Sequence, residues 1–372
     1  MSTDVLRQLW GRWSVTLPAV GIFAVVYGIL LAVSPQEGTS YSFGNFMALV
    51  APLALAAAGT TLVLLTGGFD LSVAGVISLT NVICATQMAG ASSPWMIVAL
   101  VLAVGMIAGA INGFLVVFLG LQSLAVSLAV HIVVTGLALV VLPAPGGTIP
   151  LDFTSFVQKS VGGTVPMALI VMLVVALAWL VFRNTRTGVA VVALGGDREA
   201  TRLSGVPVRA AEFSAWVLAG LLYGMAGAML AGTTATGNPA AGTPFQLTAF
   251  AAMALGLISF KGGRGSVIAA MFGAATLMAI PKVLFGLGVA DFWVGACQGI
   301  VIILALAIPL AGRFLTTRRR PAAESGSDDA RPYGAQVDGS ESGSATVESV
   351  SSASVSGDPA LAGAATRKEV RS

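Results

Sequence analysis

Ten apolar stretches, each about as long as a lipid bilayer is thick, alternate along the chain with short polar or glycine- and proline-rich gaps. They fall at about 15–34, 45–65, 71–89, 95–118, 122–142, 164–182, 211–232, 244–260, 266–285 and 292–311. About 20 apolar residues carry a helix across a hydrocarbon core. The pattern therefore predicts an all-α integral membrane protein with about ten transmembrane helices. Glycine and proline within 233–250 allow a broken or re-entrant piece there.

One polar position disturbs the pattern. The stretch LTGGFDLSV (65–73) sets Asp70 between two apolar runs. A carboxylate at a bilayer centre costs about 2.5–3.5 kcal/mol even on the lenient insertion scale. The span boundaries move Asp70 into the turn between the second and third helices. There Gly67 and Gly68 can end one helix, and Asp70 can cap the next by accepting its free N–H groups. A gating or coupling role for the charge remains the competing explanation.

Ten spans put both termini on one side. With that side inside, 13 of the 15 Lys and Arg residues before position 321 are internal, and only Lys159 and Lys282 are external. The positive-inside rule selects this orientation. All six tryptophans (Trp10, Trp13, Trp95, Trp179, Trp216 and Trp293) fall near span ends, as an aromatic belt would place them. Gly105, Gly109 and Gly113 share one face of the fourth span, as Gly220 and Gly224 do in the seventh, and such faces let helices pack closely.

Composition agrees with a membrane class. Only 9% of the 372 residues are charged, against about 25% in soluble domains, and the mean hydropathy is +0.91. Cys84 and Cys297 lie in apolar runs and read as small buried hydrophobes. Residues 321–372 carry 4 basic and 8 acidic side chains among many Ser, Gly and Ala. Such a segment cannot bury enough apolar surface to fold alone. The expected organisation is a cytoplasmic N-terminus at 1–14, a transmembrane domain at 15–315 and a disordered cytoplasmic tail at 316–372. No cleavable leader is expected at the N-terminus.

The chemistry of an enzyme is missing from the sequence. There is no phosphate-binding Gly-x4-Gly-Lys-Ser/Thr loop, so ATP hydrolysis is not expected on this chain. KGGRGS (261–266) reads as a tight inner turn, with Ser266 capping the next helix and Arg264 facing lipid headgroups. His131 reads as a hydrogen-bonded interior residue. No nucleophilic triad, zinc pattern or catalytic carboxylate pair is readable, and neither a catalytic residue nor a metal site is expected. Ion-driven carriers usually need several intramembrane acids or histidines, and Asp70 and His131 alone supply little coupling.

The longest inner connection, 183–210, carries Asp197 as the N-cap of one or two helical turns that Gly205 and Pro207 stop. A short, charged, rigidly ended segment of this kind suits docking to another protein, and equally a solvated connector.

Four stretches together resemble the permease subunits of bacterial ABC sugar importers of the ribose/xylose/galactose type, in the branched-chain-amino-acid/sugar permease superfamily. They are GGFDLSVAGVISLTN (67–81), GAINGFLVVFLGLQSLAVSLA (109–129), ALGGDREATRLSGVPV (193–208), and GGRGSVIAAMFGAA (262–275) with GLGVADFWVGACQGIVIILAL (286–306). Their order and spacing agree over about 1–315. The resemblance implies import of a monosaccharide or similar polyol across the bacterial inner membrane by a homodimer of this chain. It implies a separate cytoplasmic ATPase, which would hold the ATP and Mg, and an extracytoplasmic solute-binding protein. No cofactor is expected on this chain itself.

By the same resemblance Asp197, Arg198, Glu199, Ala200, Leu203, Ser204 and Gly205 form the ATPase-coupling segment. Gly67, Gly68, Asp70, Ser72, Gly262, Gly263 and Arg264 form a gate or helix-cap signature. Asn81, Asn112, Gln246 and Thr248 are candidate solute-pathway groups, because uncharged hydrogen-bonders can hold a hydroxylated solute weakly and release it. Some positions depart from the family pattern: Gln246-Leu247-Thr248 replaces an acidic run, Pro281-Lys282 an Asn pair, and Leu121-Gln122 a Pro pair. The solute is therefore open. Nucleosides or other small polar solutes are alternatives within the class, an ion-coupled secondary carrier is the alternative outside it, and a membrane scaffold that moves no solute is a third.

Overall fold

The computed structural model describes residues 16–290, 292–300 and 303. The chain begins with α1 (Thr16–Val33), a short turn at Pro35–Gly38, α2 (Ser40–Leu65) and α3 (Val73–Gln87). Next come α4 (Pro94–Gly113), extended by a π turn at Phe114–Phe118, and α5 (Ser123–Val141). The connection after α5 holds α6 (Leu151–Gln158) and a two-stranded hairpin, Ser160–Val161 with Val165–Pro166. Then follow α7 (Met167–Arg183), α8 (Arg186–Leu194) and α9 (Arg198–Leu203). The chain then crosses again with α10 (Val208–Thr234), α11 (Thr243–Leu255) and α12 (Val267–Gly286).

Among the described residues, seven helices are long and apolar enough to cross a membrane, or eight if the bent pair α7–α8 counts as one span. The ten expected spans are reduced at three places, each for a physical reason. The sixth ends at Arg183, where the chain turns by 87° into α8. The eighth starts where expected but shrinks to the 13 residues of α11, about 20 Å of helix, because it stops at Gly256, and Leu257 at φ +56° turns the chain out of the helix before 260. The tenth is helical at 292–300, and most of its remainder lies outside the described residues. The expected N-terminal segment 1–14 and tail 316–372 also lie outside them.

At the centre stands α2, apolar on every side and buried almost throughout. Its Thr60 and Thr61 hydroxyls donate back to the Ala56 and Ala57 carbonyls, at 2.9 and 2.6 Å, which satisfies both of these buried hydroxyls. Against α2 pack α10 and α12, and α10 also lies along α4 and α3. The two glycine ladders read from the sequence face each other. A methyl on Gly105 would overlap the Gly220 carbonyl, and one on Gly109 would overlap the Trp216 carbonyl. Bare glycine is what lets these backbones touch.

Two local expectations are corrected. Trp216 and Trp179 are not belt residues: they are 0% and 4% exposed, inside the bundle, whereas Trp95 and Trp293 are exposed. Trp10 and Trp13 lie outside the described residues. The connection 183–210 holds a second helix, α8, which buries Gly188, Ala190, Val191 and Leu194. Only the turns after Asp197 were expected to be helical in this connection.

Candidate functional site

Three double glycines, far apart in sequence, meet at one end of the bundle. Gly67-Gly68 follows α2, Gly195-Gly196 links α8 to α9, and Gly262-Gly263 precedes α12. The Gly263 amide donates to the Leu65 carbonyl at 3.1 Å. A Cβ on Gly195 would overlap Gly263 N and Leu65 O, and one on Gly262 would lie 3.0 Å from Gly67 Cα. Gly67, Gly262 and Gly263 have φ of +89°, +83° and +70°, a region that L side chains enter only with strain. The junction therefore requires glycine for both space and conformation. Arg264 is exposed beside it, and its carbonyl accepts from Ser259 N.

The segment expected to couple to an ATPase emerges from this junction as α9. Asp197 is its N-cap, with Oδ1 accepting from Ala200 N at 2.9 Å, as its position in the sequence predicts. Gly205, at φ +78°, ends the segment, and the Ser204 hydroxyl donates to the Thr201 carbonyl. Arg198 turns inward and grips Glu212 at the start of α10 with two hydrogen bonds, 2.6 and 3.1 Å. Glu199, Arg202 and Leu203 face outward, and Leu203 is 77% exposed. Glu212 has only 7% of its side chain exposed. Sequence reasoning passed over it, although an acid at the edge of an apolar span was a signal.

Behind the first glycine pair lies a buried polar chain. Asp70 Oδ1 accepts from Ser72 N (2.8 Å) and Ser72 Oγ (2.6 Å), and Asn112 Nδ2 donates to Ser72 Oγ at 2.9 Å. Asp70, Ser72 and Asn112 are each no more than 1% exposed. Burial pushes the Asp70 carboxyl above the usual carboxylate range, against the Ser72 hydrogen bonds and the neighbouring Tyr223 hydroxyl, which pull it down. Its Oδ2 has no partner.

The expected cap is thus corrected. Asp70 satisfies the residue before α3, and the free amide of Gly75 in the first turn of α3 donates instead to His131 Nδ1 on α5, at 3.1 Å. A nitrogen that accepts carries no proton, so this imidazole is neutral with its hydrogen on Nε2. Ser266 occupies the cap position of α12, but its side chain makes no cap bond.

The four pathway candidates do not form one group. Asn112 belongs to the inner chain just described. Asn81 sits on α3 about 13 Å further out, from the rise of nine residues. Its Oδ1 accepts from Asn238 N at 2.8 Å, and its Nδ2 is buried without a partner. Gln246 and Thr248 lie half-exposed on α11, where the Thr248 hydroxyl donates to the Pro244 carbonyl.

Asn81 also lines a polar cavity of about 290 Å³ with Thr234, Thr236 and Asn238. These three were missed because their stretch, TTATGN, read as a connection. Among the described residues no group of three His, Cys, Asp or Glu side chains converges where a metal could sit.

Comparison with known proteins places this arrangement. Residues 42–306 match the family described as branched-chain amino acid transport system / permease component. The chain is 33% identical to a probable ABC transporter permease protein of Sinorhizobium fredii, over 84% of this chain and 95% of that one. It is 31% identical to a ribose import permease of Escherichia coli, over 81% and 96%. A galactose/methyl galactoside import permease of Haemophilus influenzae is 28% identical, over 77% and 91%. No solved structure matches the chain.

Proposed function

Since the chain belongs to the branched-chain amino acid transport system / permease component family, we propose that it is the permease subunit of an ATP-driven importer for a monosaccharide or similar polyol. It is a multi-pass inner-membrane transport subunit and not itself an enzyme. The observation that carries the sugar reading is its likeness to two sugar import permeases along nearly their whole lengths.

In this reading a separate cytoplasmic ATPase holds ATP and Mg and hydrolyses the ATP, while this chain binds no cofactor. An extracytoplasmic binding protein delivers the solute, and a second copy of the chain completes the pathway. Ten crossings, counting α7, the discontinuous eighth span and the helix from 292, return both termini to the cytoplasm.

The ATPase presses on α9. Its outward Glu199, Arg202 and Leu203 suit a groove on that partner, and Arg198 ties it to α10 through Glu212. Gly195 and Gly196, immediately before α9, interlock with both other inner turns. A push on α9 therefore reaches α10 through the Arg198–Glu212 side chains, and the turn after α2 and the start of α12 through backbone contacts, which cannot yield as side chains can. Asn81, Asn112, Gln246 and Thr248 contribute weak polar contacts along the path.

The experiment is uptake in cells expressing the permease with its ATPase and binding protein. Uptake should stop on ATP depletion and continue with an uncoupler. Arg202→Glu or a proline inserted within Arg198–Leu203 should separate ATP hydrolysis from uptake, with the chain still in the membrane. Normal uptake and normal binding-protein-stimulated hydrolysis in both variants would refute the coupling role.

A further inference from the structure

Residues 235–242 run through the bundle without the internal hydrogen bonds of a helix. Ala235, at φ +57°, ends α10, and the chain then follows α3 from the level of Ala85 to that of Ala74. At one end Gly237 exchanges backbone hydrogen bonds with Gly146, at 2.8 and 2.9 Å. At the other, Gly242 N donates to Ser78 Oγ at 2.9 Å, and Gly242 packs so closely on Ala74 that a methyl would overlap its carbonyl. Irregular backbone at membrane depth persists only where it is buried in protein or lines a wet cavity. One side of this stretch is buried against α3, and the other lines the cavity of about 290 Å³.

We propose that this cavity is a transit subsite for one uncharged, polyhydroxylated ring. The inference rests on the sugar-permease reading and assigns it a place. No charged side chain lines the cavity, so nothing there favours an ion. Asn81 Nδ2, on a side chain with no exposure, has two hydrogens and no partner, and a buried donor left idle is costly unless something visits it.

The Thr234 hydroxyl donates to the Leu230 carbonyl and the Thr236 hydroxyl to Gly146. With the Thr234 hydroxyl also 3.0 Å from the Thr236 carbonyl, both protons are committed to backbone carbonyls, and these two lining residues can offer their oxygens only as acceptors. Leu230, Ala240 and Pro244 supply apolar wall for the C–H faces of a ring. Donors, acceptors and apolar wall together match a sugar. The cavity also stands where a broken crossing restarts as α11, the arrangement that places solute sites near the bilayer midplane in other carriers.

The test uses the complete transporter in membranes, with D-ribose and D-galactose as probes. Thr236→Cys, in a background where Cys84 and Cys297 are alanine, is labelled with a small charged methanethiosulfonate. Saturating sugar, delivered by the binding protein, should slow labelling at 236 at least fivefold. It should leave Tyr41→Cys, exposed on the outer side away from the lining, unchanged. The double variant Thr234→Val with Thr236→Val should lower the maximal uptake rate about tenfold at normal membrane abundance. Absent or sugar-insensitive labelling at 236, with unchanged uptake in the double variant, overturns the subsite and leaves the importer reading standing. If the unaltered transporter carries neither sugar but does carry a charged solute, the sugar reading falls and the subsite with it.

Discussion

The inner glycine junction makes a sharp prediction at Gly195. Its φ is not positive, so Gly195→Ala tests space alone. The new methyl would lie 2.8 Å from Gly262 C and would overlap both Gly263 N and Leu65 O. These are backbone atoms of two other segments, the end of α2 and the turn before α12, so no side chain can swing aside. Overpacking of this kind costs about 1–3 kcal/mol. Separating Gly263 N from Leu65 O also breaks the 3.1 Å hydrogen bond between them, and a buried unpaired group adds about 1–3 kcal/mol. The expected loss is therefore about 2–6 kcal/mol, concentrated where α9 joins the bundle.

Gly196→Ala is the control. Its methyl meets only the Ala193 carbonyl, at 3.3 Å, which a few tenths of an ångström of movement relieves. The assays are thermal denaturation of the solubilised transporter and uptake per ATP hydrolysed in membranes. Gly195→Ala should lower both, and Gly196→Ala should change neither appreciably. If the two variants behave alike, the junction is softer than its backbone contacts imply, and rigid transmission from α9 is wrong.

Two further variants probe the charges around it. Arg198→Ala strands the buried Glu212 carboxylate. With the loss discounted for the 56% exposure of the Arg198 side chain, it should cost about 1–3 kcal/mol, read as a lower melting temperature, and adding Glu212→Gln should recover much of it. Arg202→Ala breaks only the exposed pair with Glu199 and should change stability by less than about 1 kcal/mol. Asp70→Asn keeps the oxygen that Ser72 uses and removes a buried charge whose second oxygen is unpaired, so stability should hold or rise. Asp70→Ala leaves the Ser72 amide and hydroxyl without their acceptor and should cost about 1–3 kcal/mol. Loss of uptake in a stable Asp70→Asn protein would show that the charge itself works in the gate.

Reading the chain alone went furthest where one residue type has one physical use. Length and apolarity place most of the crossings, because a bilayer admits few alternatives. Asp197 capping α9, Gly205 ending it and the matched glycine ladders follow from local stereochemistry. Asp70 shows where local reasoning stops. Sequence puts it in the turn before α3, but the donor it was expected to satisfy belongs to His131, 56 residues away from Gly75.

The eighth crossing is similar. Its glycines and proline announce a break, but only the fold supplies the partners that make the break tolerable: Asn81 on α3 for Asn238, Ser78 for Gly242 and Gly146 for Gly237. The sequence by itself determined a multi-span membrane protein and the short capped helix α9, because solvent and backbone geometry act residue by residue. The tertiary structure alone decided that three distant glycine pairs form one joint, that Glu212 anchors α9 and that Asn81 faces a polar cavity. Those relations depend on which backbones approach within hydrogen-bonding distance, and spacing along the chain does not encode that.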